Sequence, residues 1–256
     1  MGTSLDAPND RMSDTVFPPP GVGGLRLIGD VHGEIELLAS RLDEADRMGL
    51  AVLLLGDLVD RGPDSVAVVR LVLARAEAGM LDMVPGNHDD KLWRHVAGRP
   101  VDTDGEIGQT LAAFANAFDG QALLRRFAAF VGTRPLWRRV GDLFCVHAGF
   151  APAMLAEKSP PTLRDTPARL RPLRHTALYG AGPMIGGRVM RSYDWIDTIP
   201  NGLVVVIGHD IVSRQTIVMR EGRAGGRLIH LDTGAATGGI LSHLDIDMPS
   251  QTGKKA

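Results

Sequence analysis

The sequence predicts an α/β chain with a mostly parallel start and a β-rich end, on three observations. Short apolar runs alternate with amphipathic helical patterns over the first third of the chain, further apolar runs close it, and clusters of Asp, His, Asn and Gly directly follow strand ends. The runs Leu25–Ile28, Ala51–Leu55 and Met80–Val84 read as buried strands. Between them Ile35–Met48 and Ser65–Ala78 read as helices, so the start is βαβαβ with right-handed crossovers. Amphipathic stretches around Lys91–Val96 and Gly105–Phe130 follow as helices, then a fourth strand at Leu143–Val146. Residues 158–187 are rich in Pro, Arg and Gly without a period and read as an irregular cap or insertion. The chain ends with strands at Leu203–Ile207, Thr216–Met219, Arg227–Leu231 and Ile240–Leu244, the middle two forming a hairpin around a Glu221–Gly226 turn.

The expected domain covers 23–247. Residues 1–22, with Pro18, Pro19 and Pro20 in a row, read as a disordered leader and 248–256 as a flexible tail. A net charge of -2 and a 23% share of charged residues exclude a surface that coats nucleic acid. No apolar run approaches the ~20 residues of a membrane span. The lone Cys145 cannot close an internal disulfide, and the expected location is the cytoplasm. Cys145 sits inside an apolar run without a base and reads as a small buried hydrophobe.

Chemistry concentrates at the strand ends, outside which open α/β sheets bind their ligands. The clusters are Gly29-Asp30-Val31-His32-Gly33, Gly56-Asp57-Leu58-Val59-Asp60-Arg61-Gly62, Gly86-Asn87-His88-Asp89, His147-Ala148-Gly149 and Gly208-His209. Mixed oxygen and nitrogen donors without thiolates suit manganese, iron or zinc better than calcium. A lone histidine is more often a satisfied core or surface residue than a ligand. His95, His175, His230 and His243 are read that way. No phosphate-binding GxxxxGK(S/T) loop is present, which argues against a fused kinase.

In this order the five clusters resemble those of the phosphoprotein phosphatase branch of the calcineurin-like metallophosphoesterases, GDxHG, GDxVDRG, GNH(E/D), H(A/G)G and GH, over about Leu25–Ile246. The resemblance implies a four-layer fold, a central β-sandwich flanked by helices. It implies two divalent ions, manganese first with iron or zinc as substitutes. Asp57 would bridge them, Asp30 and His32 would complete one site, and Asn87, His147 and His209 the other. His88 would protonate the leaving oxygen with Asp60 orienting its ring, and Arg61 would grip the phosphate with Asn87 beside it. A second phosphate-binding arginine is expected, with Arg191 the candidate and Arg188 its rival. Two ions can clamp a phosphoryl group and activate a bridging hydroxide for direct in-line attack, with no covalent intermediate.

On this basis the first expected function is hydrolysis of phosphate monoesters as a serine/threonine phosphoprotein phosphatase. The alternative is a bis(5'-nucleosyl)-tetraphosphatase acting on diadenosine tetraphosphate. The Tyr193-Asp194-Trp195 segment is similar to bacterial members of the branch linked to nucleotide substrates, and Asp89 stands where the eukaryotic protein phosphatases usually carry Glu. A non-catalytic binding module is the third reading, disfavoured because all six ligands, His88, Asp60 and Arg61 are present. The partner is a phosphorylated protein or a nucleotide, with no membrane and no nucleic-acid coat.

Overall fold

The computed structural model describes residues 17–182, 184–185 and 188–247, with the backbone alone at 184–185 and 188–189. The tail 248–256 and most of the expected leader lie outside the described residues. At its described end, Phe17 and Val22 are partly buried against the core, and the Arg138 guanidinium stands 5.5 Å over the Phe17 ring.

The first half is a βαβαβ unit: β1 (Gly24–Ile28), α1 (Ile35–Met48), β2 (Leu50–Leu54), α2 (Ser65–Glu77) and β3 (Leu81–Met83). Strands β1, β2 and β3 pair in parallel. All three are buried on both faces, as helix-covered parallel strands must be. Local signals set the helix ends. Asp64 caps α2 by accepting the Ala67 amide at 2.8 Å, and Gly49 ends α1 at a left-handed φ of 66°.

Helices α3 (Asn87–Val96), α4 (Glu106–Asn116) and α5 (Gly120–Gly132) come next. The single amphipathic stretch expected at Gly105–Phe130 is two helices, because the chain turns so tightly at Gly120 that a Cβ there would lie 1.8 Å from the Phe114 carbonyl oxygen. Strands β4 (Trp137–Val140) and β5 (Leu143–Val146) form an antiparallel pair. Strand β4 escaped the sequence reading because an edge strand carrying Arg138 and Arg139 has no apolar run.

Segment 158–187, expected to be irregular, contains α6 (Arg171–Tyr179). Pro172 in its first turn and Gly180 after its end are the helix-boundary signals that the high Pro and Gly content concealed. A two-stranded hairpin of β6 (Met184–Ile185) and β7 (Arg188–Val189) follows. The remaining strands are β8 (Val204–Ile207), β9 (Val218–Glu221), β10 (Arg227–His230) and β11 (His243–Asp247). The hairpin of β9 and β10 pairs Glu221 with Arg227, two residues along from the expected start.

Two sheets result, with strand orders β11-β1-β2-β3 and β4-β5-β8-β10-β9. Leu25, Leu27, Ala51, Leu53 and Val84 from the first meet Cys145, Val206, Ile229 and Leu231 from the second in a core between them. Burying each large aliphatic side chain there is worth about 2 kcal/mol. On the outer face of the first sheet, Ile28, Val52 and Leu54 share a cluster with Leu38, Leu42, Val69 and Val72 of α1 and α2. On that of the second, Phe144 packs edge-on against Phe150 at 5.1 Å, and Trp195 covers Phe150. This is the sandwich flanked by helices that the motifs implied. No described helix is long and apolar enough to cross a membrane.

Candidate metal centre

The carboxyl ends of β1, β2, β3, β5 and β8 converge where the two sheets meet, and each delivers one predicted cluster. The backbone is distorted there. Among the described residues, the non-glycine positions with positive φ are His32 (45°), Asp57 (51°), Asp60 (71°), Arg61 (70°) and His209 (65°). All are residues singled out from the sequence. Such conformations cost about 1–3 kcal/mol each and persist only where the surroundings over-determine them.

The surroundings do so with hydrogen bonds. The Asp57 carbonyl accepts the amides of Val31 (3.1 Å) and His32 (2.9 Å), and the His32 carbonyl accepts that of Gly62 (2.9 Å). Asp89, 0% exposed, takes the amides of Asp57 (2.8 Å), Leu58 (3.1 Å) and Gly86 (2.9 Å) on its carboxylate, tying the second cluster to the third. Burial and the nearby Asp57 charge nonetheless push the Asp89 carboxyl up to about 7.

Each ligand-type carboxylate is split between a structural and a free oxygen. Asp57 Oδ1 accepts the His88 amide at 2.8 Å. Its Oδ2 lies 3.6 Å from His32 Nε2 and 3.5 Å from His147 Nε2. Asp30 Oδ1 accepts the His209 amide at 3.0 Å, while Oδ2 faces His32 Nε2 at 3.9 Å. His147 Nε2 is 3.1 Å from both Asn87 Oδ1 and His209 Nδ1. Donors on one ion with bonds near 2.1 Å stand about 3–3.5 Å apart, so the donor types and most of these spacings are those of residues that could hold divalent ions. The ring orientations agree: His32 Nδ1 donates to the Val59 carbonyl (2.8 Å) and His147 Nδ1 to that of Leu55 (2.7 Å), which turns each Nε2 toward the other donors.

Electrostatics tests the fit of metal ions to these residues. Burial disfavours the charge on His147, yet Asp57 and Asp30 outweigh it and push the ring up to about 10. Burial, with Asp232 and Asp57 close by, holds the Asp30 carboxyl well above the usual range. The Asp57 and Asp30 carboxyls thus concentrate negative potential beside a buried imidazole, and a divalent ion held there would offset it. Burial lowers His32 to about 4, so it is a neutral donor at physiological pH.

Around these donors, His88 Nδ1 donates to Asp60 Oδ2 at 2.6 Å. Asp60 Oδ1 accepts the Thr110 hydroxyl at 2.5 Å. Arg61 directs Nη1 at His32 Nε2 (2.7 Å) and Nη2 at His88 Nε2 (3.2 Å) while its Nε faces Glu106. Arg191 is ion-paired with Asp210, the residue after His209, and Tyr193 donates its hydroxyl to the same carboxylate. The side chain of Arg188 lies outside the described residues. His95, His175, His230 and His243 stay out of the ligand set. His230 is buried beneath Tyr193, edge-on at 5.1 Å.

Sequence reasoning missed Asp232, Asp210, Thr110 and Glu106 and gave Asp89 no role. Asp232 is 3% exposed, accepts the Gly234 amide at 2.8 Å and stands close enough to raise Asp30. It ends β10 just as Asp30 ends β1, so the strand-end signal was present in Asp232-Thr233-Gly234. Thr110 and Glu106 lie mid-chain on a helix with no such signal.

Residues 25–213 match the family model described as calcineurin-like phosphoesterase. The chain is 30% identical over 84% of its length to the asymmetrical bis(5'-nucleosyl)-tetraphosphatase PrpE of Bacillus velezensis, covering 86% of that protein. It is 29% identical to the Bacillus subtilis protein of the same name over the same share of its length, covering 88% of it. A crystal structure provisionally described as a diadenosine tetraphosphatase superposes with a TM-score of 0.56 at 23% identity, covering 91% of this chain and 97% of that one. A protein serine/threonine phosphatase from Saccharomyces cerevisiae gives 0.57 at 15% identity over 90% of this chain and 81% of its own, a likeness of fold. With the strand-end geometry and the sequence match covering the same residues, the chain belongs to the calcineurin-like phosphoesterase family.

Proposed function

We propose that this phosphoesterase hydrolyses dinucleoside polyphosphates of the diadenosine tetraphosphate kind, asymmetrically, rather than phosphoserine or phosphothreonine. The observation that carries the chemistry is Asp57 Oδ2, placed between His32 Nε2 and His147 Nε2 at 3.6 and 3.5 Å, where one carboxylate would serve both metal sites. The substrate is supported by relatives near 30% identity over most of both chains that are named for it, against a fold likeness alone to the protein phosphatases.

Asp30, His32 and Asp57 would hold one ion and Asp57, Asn87, His147 and His209 the other, with manganese the first choice. Two such ions, when bound, neutralise phosphoryl charge and supply the nucleophile from solvent. The chain's own residues do the rest. Arg61 turns its two Nη groups onto a bridging or terminal phosphate, where a planar guanidinium binds two oxygens at once. His88 presents Nε2 to the leaving phosphate oxygen, oriented by Asp60 through Nδ1. Arg191 is the second phosphate contact, held beside His209 by Asp210. A chain with one cysteine, buried and unpaired, suits the reducing cytoplasm.

The experiment is turnover of diadenosine tetraphosphate and of a phosphoserine peptide in parallel with Mn²⁺, with products separated by ion-exchange chromatography. AMP and ATP in equal amounts, at a kcat/KM well above that for the peptide, is the expected result. Preference for the peptide, or two molecules of ADP, would refute the substrate or the asymmetry respectively.

A further inference from the structure

Asp60 and Arg61 are consecutive, and both hold the left-handed backbone that only glycine adopts without strain, at φ 71° and 70°. The adjoining chain gives one side-chain bond to this pair, from the Asp60 amide to Ser65 Oγ at 3.0 Å. Two more contacts come from α4, about fifty residues further on. Thr110 Oγ1 donates to Asp60 Oδ1 at 2.5 Å, and Glu106 receives Arg61 Nε at 3.4 Å to each carboxylate oxygen. Residues 106 and 110 are four apart on a helix and lie on one face.

We propose that α4 is the positioning arm of this site, with Thr110 fixing the plane of the Asp60 carboxylate and Glu106 fixing the direction of the Arg61 fork. The inference rests on the reading above, in which the His88–Asp60 pair and Arg61 act on the phosphate.

The torsion that turns an aspartate carboxylate is broad, so one hydrogen bond does not fix its plane. Asp60 is 2% exposed and Thr110 is 4% exposed, so no solvent molecule replaces the hydroxyl if it is removed. With Oδ1 pinned by Thr110, Oδ2 is presented to His88 Nδ1 at 2.6 Å in a single orientation. The imidazole is thereby aimed.

Glu106 works differently. Its side chain is 51% exposed and that of Arg61 33%, so the pair adds little stability. It engages Nε, and this turns Nη1 and Nη2 toward His32 and His88, the side from which a phosphate must be gripped. A guanidinium free to swing into solvent would bind the same phosphate at a greater entropic cost.

The test uses the full chain loaded with manganese and three variants: Thr110→Val, which keeps shape and removes the hydroxyl, Thr110→Ser, which restores it, and Glu106→Gln. Phenyl phosphate and p-nitrophenyl phosphate are the probes, since phenolate needs the acid's proton far more than p-nitrophenolate. For Thr110→Val the expected result is a loss of about tenfold in kcat on phenyl phosphate and much less on p-nitrophenyl phosphate. KM and metal content should be unchanged, with recovery in Thr110→Ser. For Glu106→Gln, KM and the inhibition constant of inorganic phosphate should rise several-fold with kcat nearly kept. A second readout needs no turnover: the His88 Nδ1 proton, observed by NMR in ¹⁵N-histidine protein loaded with diamagnetic zinc in place of manganese, should be slow to exchange in the wild type and in Thr110→Ser and broadened in Thr110→Val. Equal losses on both probes, loss of metal, or an unmoved Nδ1 proton would overturn the Thr110 assignment. An unchanged KM in Glu106→Gln would overturn that of Glu106. The substrate reading is judged separately, on wild-type turnover of diadenosine tetraphosphate, so either idea can fail alone.

Discussion

Adding one methyl group at Gly208 should dismantle half of the proposed metal centre. A Cβ at this position would lie 2.1 Å from Asp30 Oδ1, with the next carboxylate atom at 3.3 Å. A methyl carbon needs well over 3 Å, so one partner must retreat by about 1 Å. Neither does so without breaking a hydrogen bond of the folded protein. The Gly208 amide is held by the His147 carbonyl at 2.9 Å, and Asp30 Oδ1 accepts the His209 amide at 3.0 Å while the residue is only 3% exposed. The movable part is the carboxylate, and rotating it takes Oδ2 away from His32. A displacement of about 1 Å at a reacting centre costs about 10²-fold in rate, roughly 3 kcal/mol of barrier. Gly208→Ala should therefore lose one ion of two by plasma mass spectrometry and about 10²-fold in kcat/KM on diadenosine tetraphosphate, with an unaltered circular dichroism spectrum. Gly23→Ala is the control, since the nearest atom to its Cβ is 3.8 Å away. A Gly208→Ala protein holding both ions and working within threefold of wild type would refute the link between Gly208, Asp30 and the metal.

Four further outcomes follow from the same geometry. Asp57→Asn should abolish turnover and lower metal content, because an amide cannot bridge two cations; near-normal turnover would remove the dinuclear assignment. His88→Asn should cost about 10²-fold on a phosphoserine peptide or phenyl phosphate and much less on p-nitrophenyl phosphate, with metals retained; equal losses would make His88 a phosphate binder instead of an acid. Asp245→Ala removes both 2.7 Å bonds that Asp245 makes to Arg26, a guanidinium 2% exposed on the neighbouring strand, and should lower unfolding free energy by about 3 kcal/mol in urea titrations. The hydrogen bond from Arg26 lowers the Asp245 pKa, so its contribution is present above the unfolded carboxylate pKa and lost as pH falls through the folded one; the variant should show a shallower decline of stability in acid. Burial pushes the Cys145 thiol up to about 12, so a thiol reagent at pH 8 should label unfolded protein and leave native protein untouched; fast native labelling would contradict the core position of that strand.

How much of this was legible before folding depends on the range of the physics involved. Strands β1, β2, β5 and β8 were readable because each is a short apolar run, ended by Gly in β1, β2 and β8 and by His147 in β5, and the ligand types follow each run within a few residues. That adjacency is local, and so the six ligand-type residues, His88, Asp60 and Arg61, which the fold brings to one place, could be singled out from the chain alone. The left-handed backbone at His32, Asp57 and His209 was not legible, because it is imposed by amides and carboxylates from other strands. The same holds for the roles of Asp89 and Asp232, whose neighbours become known only when the sheet edges meet. Helix α6 and strand β4 were hidden because prolines and arginines suppress the apolar period while capping and edge packing still form the element. The sequence by itself determined which residues carry metal-ligating donor types, since donor chemistry belongs to the residue. Only the tertiary structure decided that one oxygen of Asp57 faces both ligand sets, and that Thr110 and Glu106 reach the Asp60–Arg61 pair. Those are distances between residues far apart in the chain, and closing them requires the whole core.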